Sequence, residues 1–81
     1  MLQDAQSIRY YQKLTDTLVD FRHRGYRFDE LKMYSEGYLA ALRYTNVLES
    51  HLINRLEAEI FRFLQDPSNF ELPLPQPEIE Y

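Results

Sequence analysis

Residues 48–65 read LESHLINRLEAEIFRFLQ, and this stretch decides the fold of the chain. Its apolar residues recur at intervals of three or four, which is typical of an α-helix with one buried side. They are Leu48, Leu52, Leu56, Ile60, Phe63 and Leu64. The pattern predicts a helix over about 47–65 that begins near Asn46, with Glu49 placed for a capping box. Asp66-Pro67 then stops the helix, because proline cannot continue it.

The same periodicity predicts two helices upstream of this stretch. The first covers about 5–24, with Asp4 or Ser7 as its N-cap and Gly25 at its end. The second covers about 29–44, with Asp29 as its N-cap. The apolar residues are Ile8, Tyr11, Leu14, Leu18 and Phe21 in the first and Leu31, Tyr34, Tyr38, Ala41 and Leu42 in the second. No alternating strand pattern competes, so the sequence predicts an all-α fold, a small three-helix bundle over residues 1–66.

The net charge of the chain is concentrated at one end. The chain has 81 residues, nine Lys and Arg, thirteen Asp and Glu, and a formal net charge of −4. Residues 1–65 hold nine basic and nine acidic residues, so the net charge belongs to residues 66–81, which also contain all four prolines. Residues 67–81 are therefore predicted to form an extended, acidic, proline-rich tail. Because Phe70, Leu72 and Leu74 are too apolar for a solvated linker, we expect packing on the bundle up to about Leu74, or use as a docking peptide.

Composition and motifs exclude several classes of function. No cysteine is present, which excludes a disulfide framework, a zinc knuckle and a thiol nucleophile. The two histidines, His23 and His51, form no Glu-x-x-His pair of the kind that bundle metal sites use, and Asp20 with His23 is a single carboxylate–imidazole pair. No glycine-rich phosphate loop occurs, and Asp16 beside Asp20 is expected to be hydrated. We therefore predict no metal, no cofactor and no enzymatic activity.

The sequence shows no targeting or membrane segment. Its first residues lack the basic and apolar regions of a signal peptide. Its longest near-apolar run, residues 37–42, is far shorter than the roughly 20 residues that cross a bilayer. We expect a soluble, cytoplasmic protein without a membrane span.

The most distinctive local feature is the turn RHRGYRF at residues 22–28. It places the cations Arg22, Arg24 and Arg27 among the aromatic residues Tyr26 and Phe28. In one interpretation the cations suit the end of a helix and the aromatics pack at the start of the next. In a second the turn binds another protein, and in a third its cations hold phosphates while its aromatics stack on bases. The net acidity of the chain argues against nucleic acid.

Two further patterns indicate contacts inside the bundle or with another chain. Six of the seven tyrosines lie in the first 44 residues, and the adjacent Tyr10 and Tyr11 cannot both face one core. Exposed tyrosine is favoured at interfaces, although filling a small core is its commoner use. Gly37 and Ala41, flanked by Ala40, would let another helix approach closely. That spacing favours tight packing within the bundle, with a homodimer as the alternative.

Several blocks of the chain resemble a family of short uncharacterised cyanobacterial proteins. The blocks are IRYYQKLTD (8–16), RGYRFDEL (24–31), YLAALR (38–43) and DPSNFELP (66–73). The resemblance covers nearly the full chain. It implies a cyanobacterial lineage and a cytosolic setting, and it implies no activity because the family is a domain of unknown function.

From these patterns we predict a small non-enzymatic protein-interaction module, an accessory or regulatory factor that binds another protein. A photosynthesis-related partner follows from the cyanobacterial resemblance alone. The alternative is a nucleic-acid-associated regulator that uses the basic turn Arg22–Arg27. The candidate partner-binding residues are Arg22, Arg24, Tyr26, Arg27, Phe28, Tyr10, Phe70, Leu72 and Leu74.

Overall fold

A computed structural model describes residues 2–71 and shows three helices that pack against one another. They are α1 (Ala5–His23), α2 (Phe28–Thr45) and α3 (Ser50–Gln65), and a 3-10 helix (Pro67–Phe70) follows them. Within residues 2–71 there is no β-strand. The predicted all-α three-helix bundle is confirmed. The tail residues Leu72 and Leu74 lie outside the described part of the chain.

One hydrophobic core lies between the three helices, because each helix buries a single stripe of leucine or isoleucine. Burying one such side chain contributes about 1.5–3 kcal/mol. The core consists of Leu14 and Leu18 from α1, Leu31, Leu39 and Leu42 from α2, Leu48, Ile53, Leu56 and Ile60 from α3 and its preceding loop, and Phe70.

The buried face of α2 differs from the predicted one. Ser35 and Leu39 are buried there, whereas Tyr34 and Ala41 are exposed, so the predicted face was wrong at these two positions. The small Ser35 fits where helices pack closely, and its Oγ donates to the carbonyl oxygen of Leu31 at 2.9 Å. That bond removes the cost of an unpaired buried hydroxyl, which sequence periodicity does not reveal.

The buried face of α1 differs from the predicted one in the same way, because small hydroxyl residues are buried where larger apolar residues were predicted. Ser7 and Thr15 are buried beside Leu14 and Leu18, whereas the predicted Ile8, Tyr11 and Phe21 are half-buried. The Thr15 Oγ1 donates to the carbonyl oxygen of Tyr11 at 2.9 Å, so this buried hydroxyl is also satisfied.

Both ends of α1 are fixed by local hydrogen bonds. Asp4 is the N-cap, and its Oδ2 accepts from the backbone N–H of Ser7 at 3.0 Å. At the other end Gly25 has a φ of 100°, and the N–H of Tyr26 donates to the carbonyl of Phe21 at 3.1 Å. Glycine suits this position because residues with a Cβ rarely adopt positive φ. The prediction that Gly25 ends the helix is confirmed.

The starts of α2 and α3 lie at positions other than those predicted. Arg27, not Asp29, is the N-cap of α2, and its N–H donates to the Glu30 Oε1 at 2.8 Å. Asn46 does not begin α3; it ends α2 with a left-handed φ of 55°, which asparagine tolerates better than most residues. Glu49 is instead the N-cap of α3, which begins at Ser50.

The 3-10 helix closes one end of the bundle, so residues 67–70 are not the extended start of a tail. Asp66 initiates it by accepting from the N–H of Ser68 at 3.1 Å. The Phe70 ring then packs edge-on between Phe28 and Phe63, with centroid distances of 5.3 and 5.2 Å. The Phe70 carbonyl oxygen also lies 3.1 Å from the His23 Nε2, within hydrogen-bonding distance. Contacts from all three helices therefore hold this turn.

Candidate functional site

The basic turn between α1 and α2 is held in place by its own arginine. The Arg22 Nη1 donates to the carbonyl oxygen of Tyr26 at 2.9 Å. Its guanidinium also stands 4.7 Å from the centre of the Phe28 ring, a cation–π contact. Arg22 is therefore engaged in shaping the turn.

The other two arginines of the turn each have a carboxylate beside them. The Arg24 Nε lies 3.1 Å from the Asp20 Oδ2, and the Arg27 Nε lies 3.6 Å from the Asp29 Oδ1. Exposed pairs of this kind contribute little to stability. They nevertheless place a negative charge next to each cation, which reduces the positive potential that a phosphate backbone would meet.

An aromatic patch lies beside this turn and is open to water. Phe21 stacks on Tyr26 with a centroid distance of 4.9 Å and meets Tyr34 edge-on at 5.0 Å. Together with Glu30 and Met33 these rings line a shallow cavity of about 310 Å3. We call these five residues the aromatic patch. Tyr26 is 43% exposed, so the patch presents ring surface that a second molecule could cover.

The remaining predicted contact residues do not join this patch. Phe70 is buried, with 6% of its surface exposed, and so is part of the core. Tyr10 and Tyr11 are both half-buried, so each is partly exposed, but both also pack against the core. The prediction that the two cannot face one core was therefore wrong. Burial raises the pKa of Tyr11 above its ordinary value of 10.0, with a further rise from Glu59 and a lowering from Arg62.

A surface that the sequence revealed only through Gly37 and its neighbouring alanines lies on the side of α2 away from the core. Met33, Gly37, Ala40 and Tyr44 recur at intervals of three or four residues and form one uncharged stripe, which we call the outer face of α2. Met33 is 73% exposed and Tyr44 is 90% exposed, while Gly37 and Ala40 between them are also exposed. A Cβ added at Gly37 would meet no atom within 4 Å.

The exposure of this stripe corrects one prediction. Gly37, Ala40 and Ala41 do not pack within the bundle, because all three point away from α1 and α3. The signal that could have revealed this was available in the sequence. An uncharged stripe stands opposite Leu31, Ser35 and Leu42, whereas a helix that only packs on its own bundle usually carries charges there.

The exposed large apolar side chains of the described residues are confined to one part of the molecule. All of them lie between residues 26 and 47, on α2 or on the loops at its two ends. They are Tyr26, Phe28, Met33, Tyr34, Tyr44 and Val47. Single exposed apolar residues are ordinary, but several of them confined to one helix and its end loops indicate a candidate contact region.

The sequence as a whole matches a known family model. A model described as a family of unknown function, DUF6761, matches residues 1–81. The chain belongs to DUF6761. No curated protein and no solved structure matches it.

This DUF6761 chain also has a groove, separate from the cavity of the aromatic patch, between α2 and the end of α3. It has a volume of about 320 Å3 and is lined by Phe28, Lys32, Phe61, Leu64 and Gln65. Its walls are mainly apolar, and Lys32 supplies a single cation. The groove therefore suits an apolar side chain with a nearby acidic group.

The described residues can also be compared with the requirements of a metal site and of a membrane-spanning helix. Among residues 2–71, no group of three or more histidine, aspartate or glutamate side chains is placed to hold a metal ion. None of the helices α1 to α3 combines the length and the apolar character needed to cross a membrane.

Proposed function

We propose that this DUF6761 chain is a small non-enzymatic protein-interaction module, an accessory or regulatory factor that binds another protein. The binding surface is the outer face of α2 together with the adjacent aromatic patch. The observation that carries the proposal is the confinement of the exposed large apolar side chains to residues 26–47.

The composition of this surface supports a protein partner. Methionine and tyrosine are enriched at protein interfaces, where they combine apolar area with adaptability or a hydroxyl group. Met33 and Tyr44 make no contribution to the core, so folding does not explain why both are apolar. When a partner covers such residues, each Å2 of apolar surface removed from water contributes about 25 cal/mol of favourable free energy.

The chemistry of the aromatic cavity and of the groove beside Phe28 favours binding over catalysis. Glu30 is the sole carboxylate that lines the aromatic cavity, and Lys32 is the sole charged residue that lines the groove beside Phe28. General acid–base catalysis needs a pair of groups placed against a substrate, with at least one desolvated enough to shift its pKa. Neither cavity has such a pair among its lining charges.

The setting of the proposed interaction follows from the earlier resemblance. A cyanobacterial lineage, a cytoplasmic location and a photosynthesis-related partner belong to the proposal on that basis. The alternative of a nucleic-acid-associated regulator has weaker support, since Asp20 and Asp29 stand beside two of the three arginines of the turn. Binding to generic DNA or RNA at about 50 mM salt would favour this alternative, because phosphate contacts strengthen at low ionic strength.

Affinity capture with a matched pair of variants tests the proposal. Ala40→Arg places a charge in the outer face of α2, and Ala58→Arg places the same charge at an exposed position on α3, opposite its buried residues. We expect a protein captured from native cells by the wild type to be lost with Ala40→Arg and kept with Ala58→Arg. Equal recovery by both variants would remove the outer face from the interface.

A further inference from the structure

We infer that the outer face of α2 binds a second copy of this chain, with the two α2 helices packed antiparallel about a two-fold axis. The inference rests on the proposed function, since it uses the same surface, and it names the occupant. A symmetric pair of identical surfaces is the commonest form of protein oligomer.

The centre of the outer face allows a close approach of two helices. Gly37 and Ala40 have no side chain beyond a methyl group, and a Cβ built at Gly37 would meet nothing within 4 Å apart from its chain neighbours and the adjacent backbone of α2. Helix axes approach to about 8 Å when small residues lie at the contact. Met33 and Tyr44 stand at either end of this shallow region, where larger side chains can cover the edges of the contact.

The spacing of these four residues is self-complementary in an antiparallel pair. When the two-fold axis passes between positions 38 and 39, Met33 lies opposite Tyr44 of the second copy. Gly37 then lies opposite Ala40 of the second copy, and both contacts occur twice. A methionine sulfur against an aromatic ring and a glycine against an alanine are both favourable pairings.

The residues beside the stripe match in the same register. Tyr34 lies on the same edge of the contact as the small Ala41 of the second copy, about 3 Å apart along the axis, so a large side chain is next to a small one. On the other side Glu36 comes next to Arg43 of the second copy, which gives two symmetric ion pairs. The Glu36 side chain has no ion pair or hydrogen bond among residues 2–71. Arg43 uses only its Nη2 for Asn54 and Glu57, so other donors of its guanidinium remain available.

A parallel pair of helices would fit less well. It would place Tyr44 against Tyr44 and Met33 against Met33, so that large residues meet at both ends of the contact. Glu36 and Arg43 of different copies would also be about 10 Å apart along the axis, at 1.5 Å per residue. One helix pair buries less area than a standard interface of about 1,600 Å2, so we expect a weak dimer with a Kd in the micromolar range.

Sedimentation of the full chain over about 10 µM to about 1 mM tests the dimer. We expect the wild type and Ala58→Arg to shift from monomer to dimer over this range. Ala40→Arg should weaken self-association by about tenfold or more, because a charged side chain replaces a methyl group at the two-fold axis. Circular dichroism in urea shows whether the two variants fold equally. A wild type that stays monomeric throughout, or an Ala40→Arg variant that dimerises as the wild type does, would overturn the inference.

Cross-linking tests the antiparallel register. Because the chain contains no cysteine, an introduced cysteine is the sole thiol that can react. A mixture of the single variants Met33→Cys and Tyr44→Cys, treated with a short bismaleimide, should give a covalent dimer that contains one copy of each. Met33→Cys alone should give almost none, since antiparallel packing separates the two sulfurs by about 16 Å along the axis. Efficient cross-linking of Met33→Cys to itself would instead require parallel helices and overturn the register.

Failure of this inference is distinguishable from failure of the proposed function. A monomeric wild type whose captured protein is still lost with Ala40→Arg overturns the second copy as occupant and leaves the proposed function standing. A dimer that Ala40→Arg abolishes, with every captured protein still recovered, supports the second copy and removes the outer face from binding other proteins.

Discussion

Helices α2 and α3 have similar lengths, 18 and 16 residues, but they use their apolar side chains differently. In α3 the residues Ile53, Leu56 and Ile60 are buried, and no large apolar side chain of this helix is exposed. In α2 a similar number of residues is buried, yet Met33 and Tyr44 remain in water. Helix α2 thus carries more apolar surface than the fold needs, and this excess is where a function can reside.

The comparison predicts first that the buried sides of α2 and α3 contribute equally to the free energy of unfolding. Leu56→Ala in α3 and Leu39→Ala in α2 should each lower the free energy of unfolding by about 3 kcal/mol, because both side chains are almost completely buried. Urea denaturation followed by circular dichroism measures this loss. A much smaller loss for Leu39→Ala would mean that α2 is loosely packed and that the comparison is mistaken.

At the centre of the outer face of α2, in contrast, a substitution should increase the free energy of unfolding. Gly37→Ala is expected to raise the free energy of unfolding of the monomer by about 0.5–1 kcal/mol, because alanine favours the helix and meets no neighbouring atom. The same urea experiment, performed at a concentration low enough to avoid association, measures the gain. A loss of stability would show that the backbone at Gly37 is already in contact with something.

Tyr38 lies half-buried at the boundary between the buried side and the outer face of α2, and it should make the stability of the fold depend on pH. Burial, followed by the neighbouring Tyr34 and Tyr10, raises the pKa of Tyr38 above its ordinary value of 10.0. As the pH rises through about 10, the hydroxyl in the unfolded chain ionises first, so the folded state binds more protons and stability falls. Tyr38→Phe should reduce this alkaline loss, measured as urea midpoints near pH 8 and near pH 11.

The matched control for this measurement is Tyr44→Phe, which removes a hydroxyl from the 90% exposed ring. We expect Tyr44→Phe to retain the alkaline loss of the wild type. An identical loss in Tyr38→Phe and in the wild type would mean that the Tyr38 hydroxyl does not contribute to the alkaline loss.

The smallest effect is expected at the two ends of the outer face. Met33→Ser and Tyr44→Ser should each change the free energy of unfolding of the monomer by less than about 0.5 kcal/mol, since neither side chain contacts the core. Both should nevertheless weaken any binding that uses the outer face. A large loss of monomer stability at either position would place that residue in the fold, and the contrast between α2 and α3 would disappear.

The number and type of the helices were predictable from the sequence because their apolar periodicity is strong. Helix α3 could be predicted best, since Leu56 and Ile60 fall on the one stripe that is buried. The buried face of α2 was less predictable, because Ser35 is favoured there by close packing and by its bond to Leu31. Periodicity of apolar residues does not register a buried serine.

The candidate site was predicted only in part. The basic turn was found from its composition, but the partners of its cations depend on where Asp20 and Asp29 come to lie in space. The outer face of α2 was predicted only as the less favoured alternative, for a different reason. Gly37 and Ala40 were recognised as small, but whether small residues face a neighbouring helix or water depends on the packing of the whole bundle.

The position of Phe70 in the core has a consequence for how the protein is made. A chain leaves the ribosome from its N-terminus, so α1, α2 and most of α3 emerge before this residue does. The space between Phe28 and Phe63 remains uncovered until Phe70 becomes available. The bundle is therefore completed only when Phe70 has followed α3 out of the ribosome, and nascent chains that stall earlier expose an unfinished core.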